Sequence, residues 1–293
     1  MNVRKLFFQE LPFFFGIPAV LWQVFFVYVP LFLLLALSFS SFSFEYITSF
    51  FTANYGAVLL RSLFLGVGTA LFSLLFGYPV AYWMALYAGR FKKFFMFLLF
   101  LPFLTNILLH IYAWMLLLSK TGFVNQFLGK FFGYNEPFEF LNSIGAVFIV
   151  MVYCYIPFMI FPIYTDLEKF DVRMLEASSD LGASAFQTFW RVIFPLSLPG
   201  VRSGLFLVLV PAFSEFIVPE LIGGDRMLFA GGVVAHFTMH GQMVAYGAAF
   251  TFLAALVLIS TVIFLYWLID ARWWRTSVRT PVSLFRASSD ESL

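Results

Sequence analysis

Charged side chains are scarce in this chain, so the few that interrupt apolar runs are where chemistry would sit. Glu215 stands inside Pro211-Ala-Phe-Ser-Glu-Phe-Ile-Val-Pro219, Glu220 follows directly, and Asp225 lies a little further on. At the centre of a bilayer such a carboxylate costs at least about 2.5 kcal/mol to insert, so it must face water, a counter-charge such as Arg202, or a passing cation. Pro211 and Pro219 each leave a backbone carbonyl without its helical donor, which suits a polar passage bordered by Glu215, Glu220 and Asp225. Asn106, His110, Tyr112 and Trp114 form a second polar set on one apolar stretch. They either line the same passage or tie helices together by interhelical hydrogen bonds.

Other chemistries are excluded by what is missing from the pattern. His236 and His240 have the i, i+4 spacing of metal ligands but no third ligand fixed nearby, so no metal site is expected. Cys154 is the single cysteine, sits in an apolar segment and reads as a small buried hydrophobe. No Gly-x-x-x-x-Gly-Lys-Ser/Thr stretch occurs, so the chain itself holds no ATP, and Gly66 and Gly68 read as close helix packing. No nucleophile, histidine or metal-ligand cluster falls at one depth, so no enzyme is expected.

The longest polar segment, residues 165–200, has a mechanical pattern. Asp171 is a good N-cap for helix formers running to Leu181, and Gly182 suits the left-handed stop. Ser184 caps a second short helix with Gln187 as capping-box partner. On that helix Phe186, Phe189, Trp190 and Ile193 make an apolar stripe, and Pro195 and Pro199 interrupt the path to the next span. Two helices joined at a glycine and bearing large aromatics form a lever that seeks a protein groove.

The elements that position these residues must be membrane helices. Of 293 residues 62% are hydrophobic and 11% charged, too apolar for a soluble interior to hide. Six stretches are long enough to span: about 17–37, 62–86, 94–118, 144–164, 203–222 and 247–269. An all-α, polytopic fold follows, because lipid offers the backbone no partners. Thirteen of the 17 Lys and Arg, from Arg4 and Lys5 to Arg286, fall on one side, while Arg61, Lys120, Lys130 and Arg226 fall on the other; both termini are then cytoplasmic. The first span, with no small-residue cleavage site after it, reads as retained. Phe44, Tyr46, Phe50, Phe51 and Tyr55, with Trp22, Trp83, Trp267, Trp273 and Trp274, read as interfacial aromatics. Residues 123–143 read as a short helix across the outer mouth. Residues 1–275 form the membrane domain and 276–293 a disordered tail. A net charge of +2 gives no field for nucleic acid.

Glu176-Ala177-Ser178, Gly182 six residues after the glutamate, Val192 and Pro195 resemble the EAA loop of bacterial ABC-importer permeases. The chain departs from that pattern at Ser178, Val192 and Phe194, with the spacing intact. Leu175–Phe189, Pro211–Gly224, Gly77–Tyr82 and Leu101–Asn106 resemble, more narrowly, spermidine/putrescine permeases of the PotB type. The resemblance implies a MetI-like permease in a bacterial inner membrane, carrying no cofactor of its own. It implies a second homologous permease, an ATPase homodimer that binds the ATP, and an extracytoplasmic solute-binding protein. It also implies ATPase coupling through Glu176, Ala177, Gly182, Ala183, Ser184, Phe186, Phe189, Arg191 and Pro195, with 182–191 seated in the ATPase cleft and Glu176 bracing it by a charge-assisted hydrogen bond. Glu215 then either attracts a polyamine or pairs structurally with Arg202 or the sister permease. The rivals are a permease for another small solute and an ion-gradient-driven transporter.

Overall fold

The computed structural model describes residues 16–40, 55–133, 136–171, 173–224, 227–239 and 244–277, with Ser40 and residues 270–277 as backbone only. Arg4, Lys5, Phe44, Tyr46, Phe50, Phe51, Asp225, Arg226, His240 and residues 278–293 lie outside the described residues, as do the side chains of Trp273 and Trp274.

Every regular element among the described residues is helical, as backbone in lipid requires. Helix α1 is Gly16–Phe39, with a π-helical turn at Val24–Tyr28. Helix α2 is Tyr55–Leu86, continuous through Pro79. Then come α3 (Lys92–Phe100), α4 (Ile107–Leu118), α5 (Phe123–Phe132) and α6 (Ile144–Glu168). Helices α7 (Arg173–Asp180) and α8 (Ala185–Leu196) precede α9 (Leu198–Ser214), α10 (Ile217–Gly223), α11 (Ala230–Met239) and α12 (Val244–Ser277). Among the described residues five helical stretches are long and apolar enough to cross a bilayer, and a sixth is counted if α8 and α9, bent by 62°, are one span.

Two of the six expected spans are broken. The stretch 94–118 divides because Pro102 cannot donate to the ladder; a 3₁₀ turn at Leu101–Leu104 runs into extended backbone at Thr105, and Asn106 caps α4 by accepting from Leu108 N–H at 2.9 Å. The stretch 203–222 starts earlier, at Leu198, and divides at Glu215, whose backbone is extended. Helix α5, capped by Gly133 at φ +70°, stands where a short helix across the outer mouth was expected, but together with α4 it makes one stretch, Ile107–Phe132, that is long and apolar enough to cross a bilayer.

The described residues fall into two compact units. The larger lies within residues 58–232 and 257–293 and is organised round α6, where Val147, Val150, Met151, Met159 and Ile163 are fully buried. Its main neighbour is α9, which comes so close that a Cβ at Gly200 would sit 2.7 Å from the Pro162 carbonyl and one at Gly204 2.7 Å from Met159 Sδ. Small residues do this work in lipid, where apolar burial alone gives helices no reason to associate. The smaller unit lies within residues 1–57 and 233–256, where Tyr55 meets Phe237 and Phe250 edge-on and Phe39 meets Phe252. Helix α1 turns Trp22, Phe25 and Phe32 outward, an apolar surface suited to lipid.

Candidate functional site: an elbow and a carboxylate at a helix break

The elbow follows from local capping. Asp171 accepts from Arg173 N–H at 3.0 Å to start α7, and Gly182 ends the turn at φ +75°, a conformation side chains resist. Ser184 accepts from Gln187 N–H at 3.3 Å while Gln187 Oε1 accepts from Ser184 N–H at 3.0 Å, closing the capping box that starts α8. Across the bend the Ser178 and Thr188 hydroxyls, both buried, bond at 2.6 Å and tie α7 to α8. The brace expected at Glu176 is not found: its carboxylate is exposed and takes no side-chain hydrogen bond among the described residues. Glu176 stands on the exposed face of α7, and the neighbouring Ser178–Thr188 hydroxyl pair holds the arms instead.

The apolar stripe of α8 is divided. Ile193 is buried, and Phe189 meets Tyr78 and Tyr82 of α2 edge-on at 5.7 and 6.0 Å. Phe186 and Trp190, 73% and 48% exposed, point away from the body. Ala177, Gly182, Ser184 and Arg191 are exposed, Ala183 and Pro195 half-buried. The outward set is therefore Glu176, Ala177, Gly182, Ser184, Phe186, Trp190 and Arg191, while Phe189 docks the elbow on its own chain. At Ser197, fully buried, the path turns 62° into α9.

The second feature is the break after α9. Glu215 Oε2 accepts from the Tyr155 hydroxyl at 2.7 Å, and Oε1 accepts from Phe216 N–H at 3.1 Å and Ile217 N–H at 3.0 Å. The carboxylate thereby satisfies two amides that the broken helix would leave orphaned. Pairing with Arg202 is not what the structure has: the Arg202 guanidinium lies over the Tyr266 ring, 5.6 Å from its centroid. Thirteen positions separate the two along the chain, about 20 Å on a helix. Tyr155 was not visible as a partner in the sequence, because it stands sixty positions from Glu215 and no local spacing joins them.

Tyr155 also borders a groove of about 1110 Å³ walled by α2, α3, α4, α6 and α9, including Trp83, Phe103, His110, Tyr153, Phe206 and Pro211. Its lining is largely apolar. Of the second polar set, His110 bonds Thr105 at 3.2 Å, and Trp114 packs edge-on against Tyr153 at 5.4 Å. Tyr112, two positions from Trp114 and so on nearly the opposite helix face, is exposed and apart from them. Glu220 is exposed on α10. Among the described residues no three His, Cys, Asp or Glu side chains converge, and His236 is exposed.

A long buried helix, an exposed elbow and a broken span define a polytopic helical membrane protein. Residues 77–275 match the family described as binding-protein-dependent transport system inner membrane component. The chain is 38% identical over 256 residues to a spermidine/putrescine transport system permease protein PotB of Haemophilus influenzae, covering 84% of this chain and 89% of that protein. It is 34% identical over 256 residues to the protein of the same name from Escherichia coli K12, with 84% and 93% covered. In fold it is similar to a chain of a bacterial ABC transporter involved in import of the acidic polysaccharide alginate, at a TM-score of 0.69 and 17% identity, covering 94% of this chain and all of that one. The chain belongs to the binding-protein-dependent ABC importer permeases. It is an inner-membrane transporter subunit of MetI-like fold and not an enzyme; it works with a binding protein and an ATPase, and the ATPase binds the nucleotide. The ion-gradient alternative falls with that membership.

Proposed function

We propose that this chain is one of two homologous permeases of a polyamine importer, seated on an ATPase homodimer. Both termini and the α7–α8 elbow lie in the cytoplasm, and a binding protein delivers spermidine or putrescine to the opposite face. The observation that carries the cargo is the 38% identity to a spermidine/putrescine permease over most of both chains. Supporting it, Glu215 presents negative charge beside Tyr155 at a helix break, the environment a flexible chain of ammonium groups seeks through Coulombic and cation–π attraction. Glu220 and Asp225 extend the acidic path, and Trp114 lends an aromatic wall. The outward residues of the elbow enter the ATPase cleft, and Glu176, which takes no side-chain hydrogen bond among the described residues, meets its donor there.

The test is purification in mild detergent followed by reconstitution. Co-purification of an ATPase and a second permease, with ATP-dependent uptake of labelled spermidine, is expected; ATP-dependent uptake of a different solute alone refutes the cargo. Gly182→Pro should insert normally yet lose ATP-driven uptake, since proline is locked near φ −65° where +75° is required. Wild-type uptake by that variant removes the elbow from the mechanism.

A further inference from the structure

Beside its aromatic contacts, the elbow is joined to α2 by a buried relay of hydroxyls, and we propose that Tyr78 is the positioning residue that carries the elbow's displacement into α2. The proposal rests on reading α7 and α8 as the ATPase-coupling elbow. Ser197, 0% exposed, sits at the 62° turn between α8 and α9. Its hydroxyl donates to the Phe194 carbonyl at 2.9 Å and lies 2.9 Å from the Tyr78 hydroxyl. Serine has one proton to give, so the Tyr78 O–H donates to Ser197 Oγ. The order Tyr78 to Ser197 to Phe194 links α2 to the hinge and to the last turn of α8.

The grip falls where α2 yields most easily. Pro79, next to Tyr78, removes a ladder hydrogen bond and loosens the helix locally. Gly77, on the other side, lies against α6, where a Cβ would come within 3.2 Å of Ile160. Aromatic edges clamp the same point: Phe189 stands at 84° to the Tyr78 ring, and Phe194 lies 5.8 Å from it. A rotation of α8 therefore drags Tyr78, and with it the weakest turn of α2. A packed core transmits such a shift because it deforms little. Tyr78 does not touch the Glu215 site, so it acts through the helix that it moves.

The relay is tested in the reconstituted transporter, with labelled spermidine uptake and ATP hydrolysis read in the same vesicles. Tyr78→Phe should lower uptake per ATP hydrolysed at least about twofold, the low end of what residues on a coupling network change. Ser197→Ala should lower it further, because it strands the buried Tyr78 hydroxyl, whereas Tyr78→Phe leaves Ser197 its Phe194 partner. The double variant Tyr78→Phe/Ser197→Ala should return to the Tyr78→Phe value. A wild-type ratio in Tyr78→Phe overturns the proposal. So do uptake and hydrolysis falling in equal proportion with the amount of assembled protein, the mark of a merely structural bond. Gly182→Pro in the same vesicles separates the two ideas: a dead Gly182→Pro beside a normal Tyr78→Phe sinks the relay alone, and normal uptake by Gly182→Pro sinks the coupling reading itself.

Discussion

A carboxylate offers about four acceptor sites, and Glu215 fills three of them from within its own chain. Those bonds make a negative charge tolerable in the membrane, with no arginine paired to it among the described residues, and the remaining site faces a ligand in the proposed function. Glutamine keeps the acceptor that the Phe216 and Ile217 amides need but lacks the charge. Glu215→Gln is therefore expected to fold and to raise the apparent KM for spermidine roughly tenfold, the loss of one charge-assisted contact. Uptake kinetics identical to wild type would leave Glu215 a purely structural cap. Beyond the end of α4, Lys120 pairs with Glu139 and holds its carboxyl below the usual range, first by hydrogen bond and then by charge. A lowered value means that the pair persists at neutral pH and is lost only as pH falls through the carboxylate range. Both groups are exposed, so its loss changes little.

At the scale of elements, the elbow was legible because its grammar is local. Asp171, Gly182, Ser184 and Gln187 each act within a few residues, and each cap forms where its residue type requires. The Ser178–Thr188 bond is different, joining two helices across the bend at the position where the family pattern has alanine. Removing one hydroxyl strands the other at a cost of about 1–3 kcal/mol, while replacing both by apolar groups is nearly neutral. Ser178→Ala and Thr188→Val are expected to lower the thermal midpoint of the purified complex singly, and the double variant to recover most of the loss. Strict additivity of the two losses would show that the hydroxyls do not depend on each other. The breaks at 101–106 and at Glu215 were harder to see, since hydropathy alone runs smoothly across them.

For the whole molecule, the surplus of Lys and Arg on one side is an electrostatic argument about insertion, and it has a direct check. With Cys154→Ser as background, Asp180→Cys on the elbow should react with an impermeant maleimide only from the cytoplasmic face, and Lys130→Cys on α5 only from outside. The reverse pattern would invert the topology and place the elbow out of reach of any ATPase.

Composition, span lengths, caps and the spacing from Glu176 to Pro195 are properties of consecutive residues, so the chain alone determined a helical membrane bundle, its elbow and its family. Which hydroxyl answers Glu215, which half of the α8 stripe turns inward, and that Tyr78 grips Ser197 were decided only by packing. Those partners lie 60 and 119 residues apart, and no local periodicity records which helix will come to lie beside which.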